Sequence, residues 1–143
     1  MSARPEADTT RALALLYCSG AQREVLGALT GIEAQVSASL APGLDHGVAH
    51  ARLAWWGEEC ARLAEGRGEH PLSRQLQGLL TGDARAALAG VRGFVDAATW
   101  DLAGATFETR RELSAYCARW SAALVGPFAA FVLQAPAAAP LLE

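Results

Sequence analysis

Two histidines four residues apart, His46 and His50, are the first side chains here whose type and spacing could do chemistry. On a helix that step puts both imidazoles on one face, so both could reach one metal ion, with Asp45 as a third ligand. The H-E-x-x-H pattern is absent. A bare pair at this spacing reads first as structural or solvated, and no metal site is assigned to it. Asp96 and Asp101 are five apart, about 140° around a helix, so they do not pair on one face to hold Mg²⁺ unless the helix ends between them. Cys117 falls on an apolar stripe with Trp120 and has no histidine nearby in sequence, which does not suit a nucleophile. Arg52 and Glu59 lie on either side of Trp55, as a buried or half-buried network or as a solvated pair. There is no glycine-rich phosphate loop, no G-x-S-x-G and no C-x-x-C. The residues alone describe a helical domain with no visible catalytic group, and no cofactor is expected.

The elements that must position these side chains are helices. The stretch from Val48 to Pro71 organises the rest: Ala49, Leu53, Trp56, Cys60 and Leu63 recur at steps of three and four and share one face. Trp55 and Trp56 are consecutive, so their rings point about a third of a turn apart, and the helix is expected to touch neighbours on two sides. Before it, one helix runs to about Ser19 with Gly20 as its stop, and a second runs from about Gln22 to Leu40, with Gly27 and Gly31 permitting close backbone approach. After it, His70-Pro71 starts a short helix. Asp83 could cap a further one from Ala84 to about Trp100, made locally soft by Gly90 and Gly93. Thr109 and Glu112 form a capping box ahead of the last helix. Pro127 should kink or interrupt that helix.

Nothing alternates with period two for long enough to suggest a sheet, so the fold class is all-α, with five to six helices in one domain. The boundaries are residues 1–134 for the domain and 135–143 for a disordered tail. A net charge of -3 with scattered basic residues gives no stripe for nucleic acid. Three well-separated cysteines, Cys18, Cys60 and Cys117, are expected as buried free thiols. The N-terminus is polar, and the greasiest run, Ala122 to Leu133, is too short to span a bilayer. A cytoplasmic protein without a transmembrane segment is expected, with membrane-peripheral contact left open.

Several segments together resemble the N-terminal half of the squalene/phytoene synthase family, the head-to-head isoprenyl diphosphate synthases. They are the helix opening at Arg23, the Ala51–Glu59 segment ARLAWWGEE, His70-Pro71 with Leu76, the Phe94–Asp101 segment FVDAATWD, and the run from Phe107 through Tyr116-Cys117 to Gly126. The resemblance covers roughly residues 11–128 and implies part of an isoprenoid-synthase-like helical bundle. It also locates a departure. The family's first aspartate-rich motif holds Mg²⁺ against a substrate diphosphate, which needs hard carboxylate oxygens. Its acidic positions fall on Ser37, Ala38 and Ala41, and a basic position before it falls on Ala34. The second such motif would lie beyond Gly126, past the last residue of the sequence.

What the resemblance then implies is a non-catalytic, pseudoenzyme-like relative that binds a protein partner or an apolar isoprenoid-like ligand. The alternative is a subunit of a prenyl-diphosphate transferase whose metal-binding motifs come from another chain. The side chains expected to face a ligand are Glu33, Ser37, Arg52, Trp55, Trp56, Glu59, Tyr116 and Trp120. Exposed apolar helix faces imply a homodimer or hetero-oligomer.

Overall fold

The computed structural model describes residues 6–134, and the tail assigned to 135–143 lies outside them. Among the described residues the fold is all-α. Helix α1 spans Glu6–Leu16, α2 Gly20–Ser37, α3 His46–Ala64 and α4 Pro71–Leu79; α5 spans Gly82–Ala86, α6 Gly93–Leu102 and α7 Arg110–Gln134. Two 3₁₀ turns, Ala38–Leu40 and Ala87–Arg92, extend α2 and join α5 to α6.

The start signals explain most of these boundaries. Ser19 does not end α1; it caps α2, accepting from the Gln22 amide (3.2 Å) while the Gln22 side chain accepts from the Ser19 amide (2.9 Å). That reciprocal bond satisfies two amides that a helix start otherwise leaves bare. Asp45 caps α3 through the Val48 amide at 3.1 Å. His70 caps α4, its Nδ1 accepting from the Leu72 amide, with Pro71 in the first turn where its missing N–H costs nothing. The box ahead of α7 forms as expected: Thr109 Oγ1 accepts from the Glu112 amide, and Glu112 Oε2 accepts from the Glu108 and Thr109 amides.

The core gathers Val25, Leu29 and Ile32 of α2, Leu53, Trp56 and Leu63 of α3, Leu76 of α4, and Leu88, Val91 and Phe94 from the 82–102 run. Helix α7 packs along α5, the second 3₁₀ turn, α6 and α2. Two expectations are corrected here. Gly90 and Gly93 are more than soft points in one helix: the element expected from Ala84 to about Trp100 is broken around Gly90. A methyl group on Gly90 would come within 2.9 Å of the Ala122 carbonyl oxygen, and one on Gly93 would overlap that of Arg119. These glycines let the 82–102 run lie against the α7 backbone, and the run breaks into α5, a 3₁₀ turn and α6. Nor does Pro127 interrupt α7, which continues to Gln134. The residue before the proline is Gly126, with no Cβ to meet the pyrrolidine ring, and both Ala123 and Pro127 are buried in the packed face. Of the paired glycines in α2, Gly31 is the one that permits close approach, to Leu72 of α4, while Gly27 faces open space.

By length and composition alone, α7 as a continuous 25-residue helix is long and apolar enough to cross a membrane. The run read from the sequence, Ala122 to Leu133, covered only the second half of this helix and contained the Gly126-Pro127 pair. The unpacked side of α7 leaves Leu113, Val125 and Leu133 exposed.

Candidate functional site

A cleft of about 910 Å³ opens between α1, α2, α6 and α7. Its apolar body is Phe94, Ala97 and Ala98 of α6, Leu40 from the first 3₁₀ turn, and Trp120 of α7. The Phe94 and Trp120 rings meet edge to face at 6.1 Å, a favourable aromatic arrangement. The wall contributed by α2 and the turn after it consists of Ala34, Ser37, Ala38 and Ala41. Small side chains on both facing helices leave this space unfilled.

Four of the cleft's polar side chains form two pairs. Arg11 of α1 approaches Glu33 of α2, Nη2 to Oε2 at 2.6 Å, as an ion pair without good hydrogen-bond alignment. The Tyr116 hydroxyl donates to Asp101 Oδ2 at 2.8 Å. Burial, and then that bond to a carboxylate, push the Tyr116 phenol up to about 12, because ionisation would remove the donated proton and face it with a second negative charge. Tyr116 is held from the other side by Phe107 (5.2 Å between ring centroids), which stacks in parallel on Trp100 at 5.6 Å.

Of the side chains expected to face a ligand, Glu33, Ser37, Tyr116 and Trp120 line this cleft. Arg52, Trp55 and Trp56 meet elsewhere, with Gln35, in a surface niche of about 140 Å³. There the consecutive rings part company: Trp56 is 6% exposed and belongs to the core, whereas Trp55 is 41% exposed. Glu59 lies under this region, fully buried, and accepts from the Glu69 and His70 amides at 2.8 Å each and from Arg62 Nε at 2.9 Å. Its cation partner is therefore Arg62, which also sits over the Trp55 ring at 5.7 Å; Arg52 is exposed. Burial alone would raise the Glu59 carboxyl. The His70 amide, the neighbouring Ser73 hydroxyl, Arg62 and the Glu69 amide outweigh it and hold the group below the usual glutamate range.

The sequence reading missed Arg11 as a cleft residue and did not foresee that Asp101 meets Tyr116. Asp96 instead pairs with Arg92 at 3.5 Å and faces a second groove, of about 900 Å³, between α3 and α6. The three cysteines are free thiols, but only Cys60 is buried as expected; Cys117 is exposed. Desolvation pushes the Cys60 thiol up to about 12, which leaves it an inert core side chain at neutral pH.

The family that the sequence resembles implies Mg²⁺, and the cleft's donors do not fit that ion. Mg²⁺ demands near-octahedral oxygen coordination anchored by carboxylates that are free to bind it. Glu33 is neutralised by Arg11, Asp101 is engaged by Tyr116, and the α2 wall between them is serine and alanine. Among the described residues no group of three or more His, Cys, Asp or Glu could hold a metal ion. The arrangement can enclose an apolar body and offer it aromatic edges.

Compared with known proteins, residues 4–142 match the family model for squalene/phytoene synthase. No curated protein and no solved structure matches the chain.

Proposed function

Because the chain belongs to the squalene/phytoene synthase family, we propose that it is a non-catalytic member whose cleft takes up an apolar, isoprenoid-like molecule. The observation that carries this reading is the wall of α2. Ser37, Ala38 and Ala41 stand in the cleft at the positions where the resemblance puts the family's first acidic motif. A methyl group or a single hydroxyl cannot steady a leaving diphosphate, but it adds room and apolar surface for a chain of methyl-branched carbons.

The test reads affinity by calorimetry, with Trp120 emission as a second reporter in the wild type only. Farnesol, an uncharged isoprenoid alcohol, is expected to change tryptophan emission saturably, and Trp120→Ala is expected to weaken its binding about tenfold through lost apolar contact. In the same preparation, farnesyl or geranylgeranyl diphosphate with Mg²⁺ should release no pyrophosphate above background. Turnover abolished by EDTA overturns the non-catalytic reading. Farnesol binding that survives Trp120→Ala unchanged removes the ligand from this cleft.

A second reading has its own support. Leu13, Leu16 and Tyr17 on and just after α1 are 53%, 72% and 90% exposed, and Leu113 on α7 is also exposed. That much apolar surface favours a covering chain, and a second copy is the simplest one. Light scattering on the purified protein is expected to give twice 15.0 kDa; a mass of one chain at tens of micromolar removes the homodimer. This reading also keeps the alternative of a transferase subunit whose metal ligands come from another polypeptide.

A further inference from the structure

His46 and His50 belong neither to the cleft nor to the core. Both side chains are exposed on the first two turns of α3. Their Nε2 atoms converge to 2.9 Å, with the rings edge to face at 4.5 Å between centroids and 81° between planes. As it stands, the two rings share one N–H···N hydrogen bond, its donor set by the tautomer. The separation has another meaning. Two nitrogens each about 2.0–2.1 Å from one ion lie about 2.9 Å apart when the angle at the ion is a right angle, and about 3.3 Å apart when it is tetrahedral. The pair is therefore spaced for two adjacent corners of a square or octahedral site, the geometry that Ni²⁺ and Cu²⁺ adopt with nitrogen and oxygen donors.

We propose that His46 and His50 form a two-imidazole binding site for a borderline divalent transition-metal ion, Ni²⁺ or Cu²⁺. The ion takes the place of the proton between the two Nε2 atoms, and that proton moves to Nδ1 of its own ring, so that both Nε2 lone pairs are free for the ion. Its remaining positions are filled by water, or by a ligand lying in the α3–α6 groove that His50 also lines. The surroundings contain one opposing and one assisting charge. The site is at the positive end of the α3 dipole, which opposes a cation. Asp45 is next in sequence and brings a full negative charge to the same turn, with one oxygen occupied by the Val48 amide. Exposure keeps the cost of reorienting the two rings small, since neither is held by packing.

Titration of the untagged full chain with Ni²⁺, followed by calorimetry and by the NMR signals of the histidine rings, tests the site. One equivalent is expected to bind with the His46 and His50 ring signals perturbed together and those of His70 unmoved. His46→Ala and His50→Ala should each lower the affinity about a hundredfold, because the second imidazole then no longer acts at high effective concentration. Far-ultraviolet circular dichroism of both variants controls for loss of α3. Ring signals unmoved at millimolar Ni²⁺ overturn the proposal, as does binding that His50→Ala leaves unchanged in a variant that keeps its helix content.

Discussion

Glu59→Ala is expected to destabilise the protein by about 3–5 kcal/mol, the cost of removing one partner from a buried ion pair. The carboxylate is fully buried and accepts from three donors on two pieces of chain: Arg62 on its own helix, and the amides of Glu69 and His70 at the opening of α4. Alanine leaves those two amides without an acceptor in a tight turn, where Gly68 has no room for a side chain beside Ser73 and Gln77. It also strands the Arg62 guanidinium, whose remaining acidic neighbours, Glu58 and Glu69, lie 3.8 and 3.9 Å away. Glu59→Gln keeps an oxygen for the amides but places an NH₂ group among donors, and should cost less than alanine. The pH dependence has a definite sign. Glu59 titrates below its usual range when folded, so its contribution is present above the ordinary glutamate pKa and is lost as pH falls through the folded value. Chemical denaturation at neutral pH measures the loss; repeated at acid pH, the gap between wild type and Glu59→Gln should narrow. Equal stability of wild type and Glu59→Ala at pH 7 would falsify this account of the turn.

Gly93→Ala should be nearly as damaging, at about 3 kcal/mol, the upper part of the range for overpacked sites. For a chain of this size that is a fall in melting temperature of about 10 °C. In an ordinary exposed helix this substitution would stabilise by about 1 kcal/mol, so helix propensity and packing predict opposite signs. Packing wins because the added methyl meets the Arg119 carbonyl and the Ala123 side chain. One is backbone and the other belongs to a fully buried residue, and neither can rotate away. Gly27→Ala, inside α2, is the internal control: nothing lies within 4 Å of the position its Cβ would take. A melting temperature that rises in Gly93→Ala would mean that α6 and α7 are further apart than described.

These two sites show what could and could not be read from one chain of letters. The Thr109–Glu112 box and the Pro71 start are local signals, and both elements begin where the letters place them. Ser19 and Gln22 carry the same kind of signal, but the glycine after Ser19 reads as a stop. The capping bonds decide otherwise. The stripe on α3 correctly buries Leu53, Trp56, Cys60 and Leu63, because a 3.6-residue period is a property of one helix. Gly90 and Gly93 were only partly legible locally, for the opposite reason: their purpose lies on α7, some thirty residues away. The cleft divides along the same line. Glu33, Ser37, Tyr116 and Trp120 were legible through a register of segments spread over the chain. The Arg11–Glu33 and Asp101–Tyr116 pairs were not, since each joins two helices whose relative placement no periodicity encodes.

The pairing of those four side chains sets a rule of admission for the cavity they surround. If the cleft takes up a guest as proposed above, one bearing charge must part Arg11 from Glu33 or compete with Tyr116 for Asp101. A neutral oily guest disturbs neither couple, and discrimination would then come from refusal rather than from attraction.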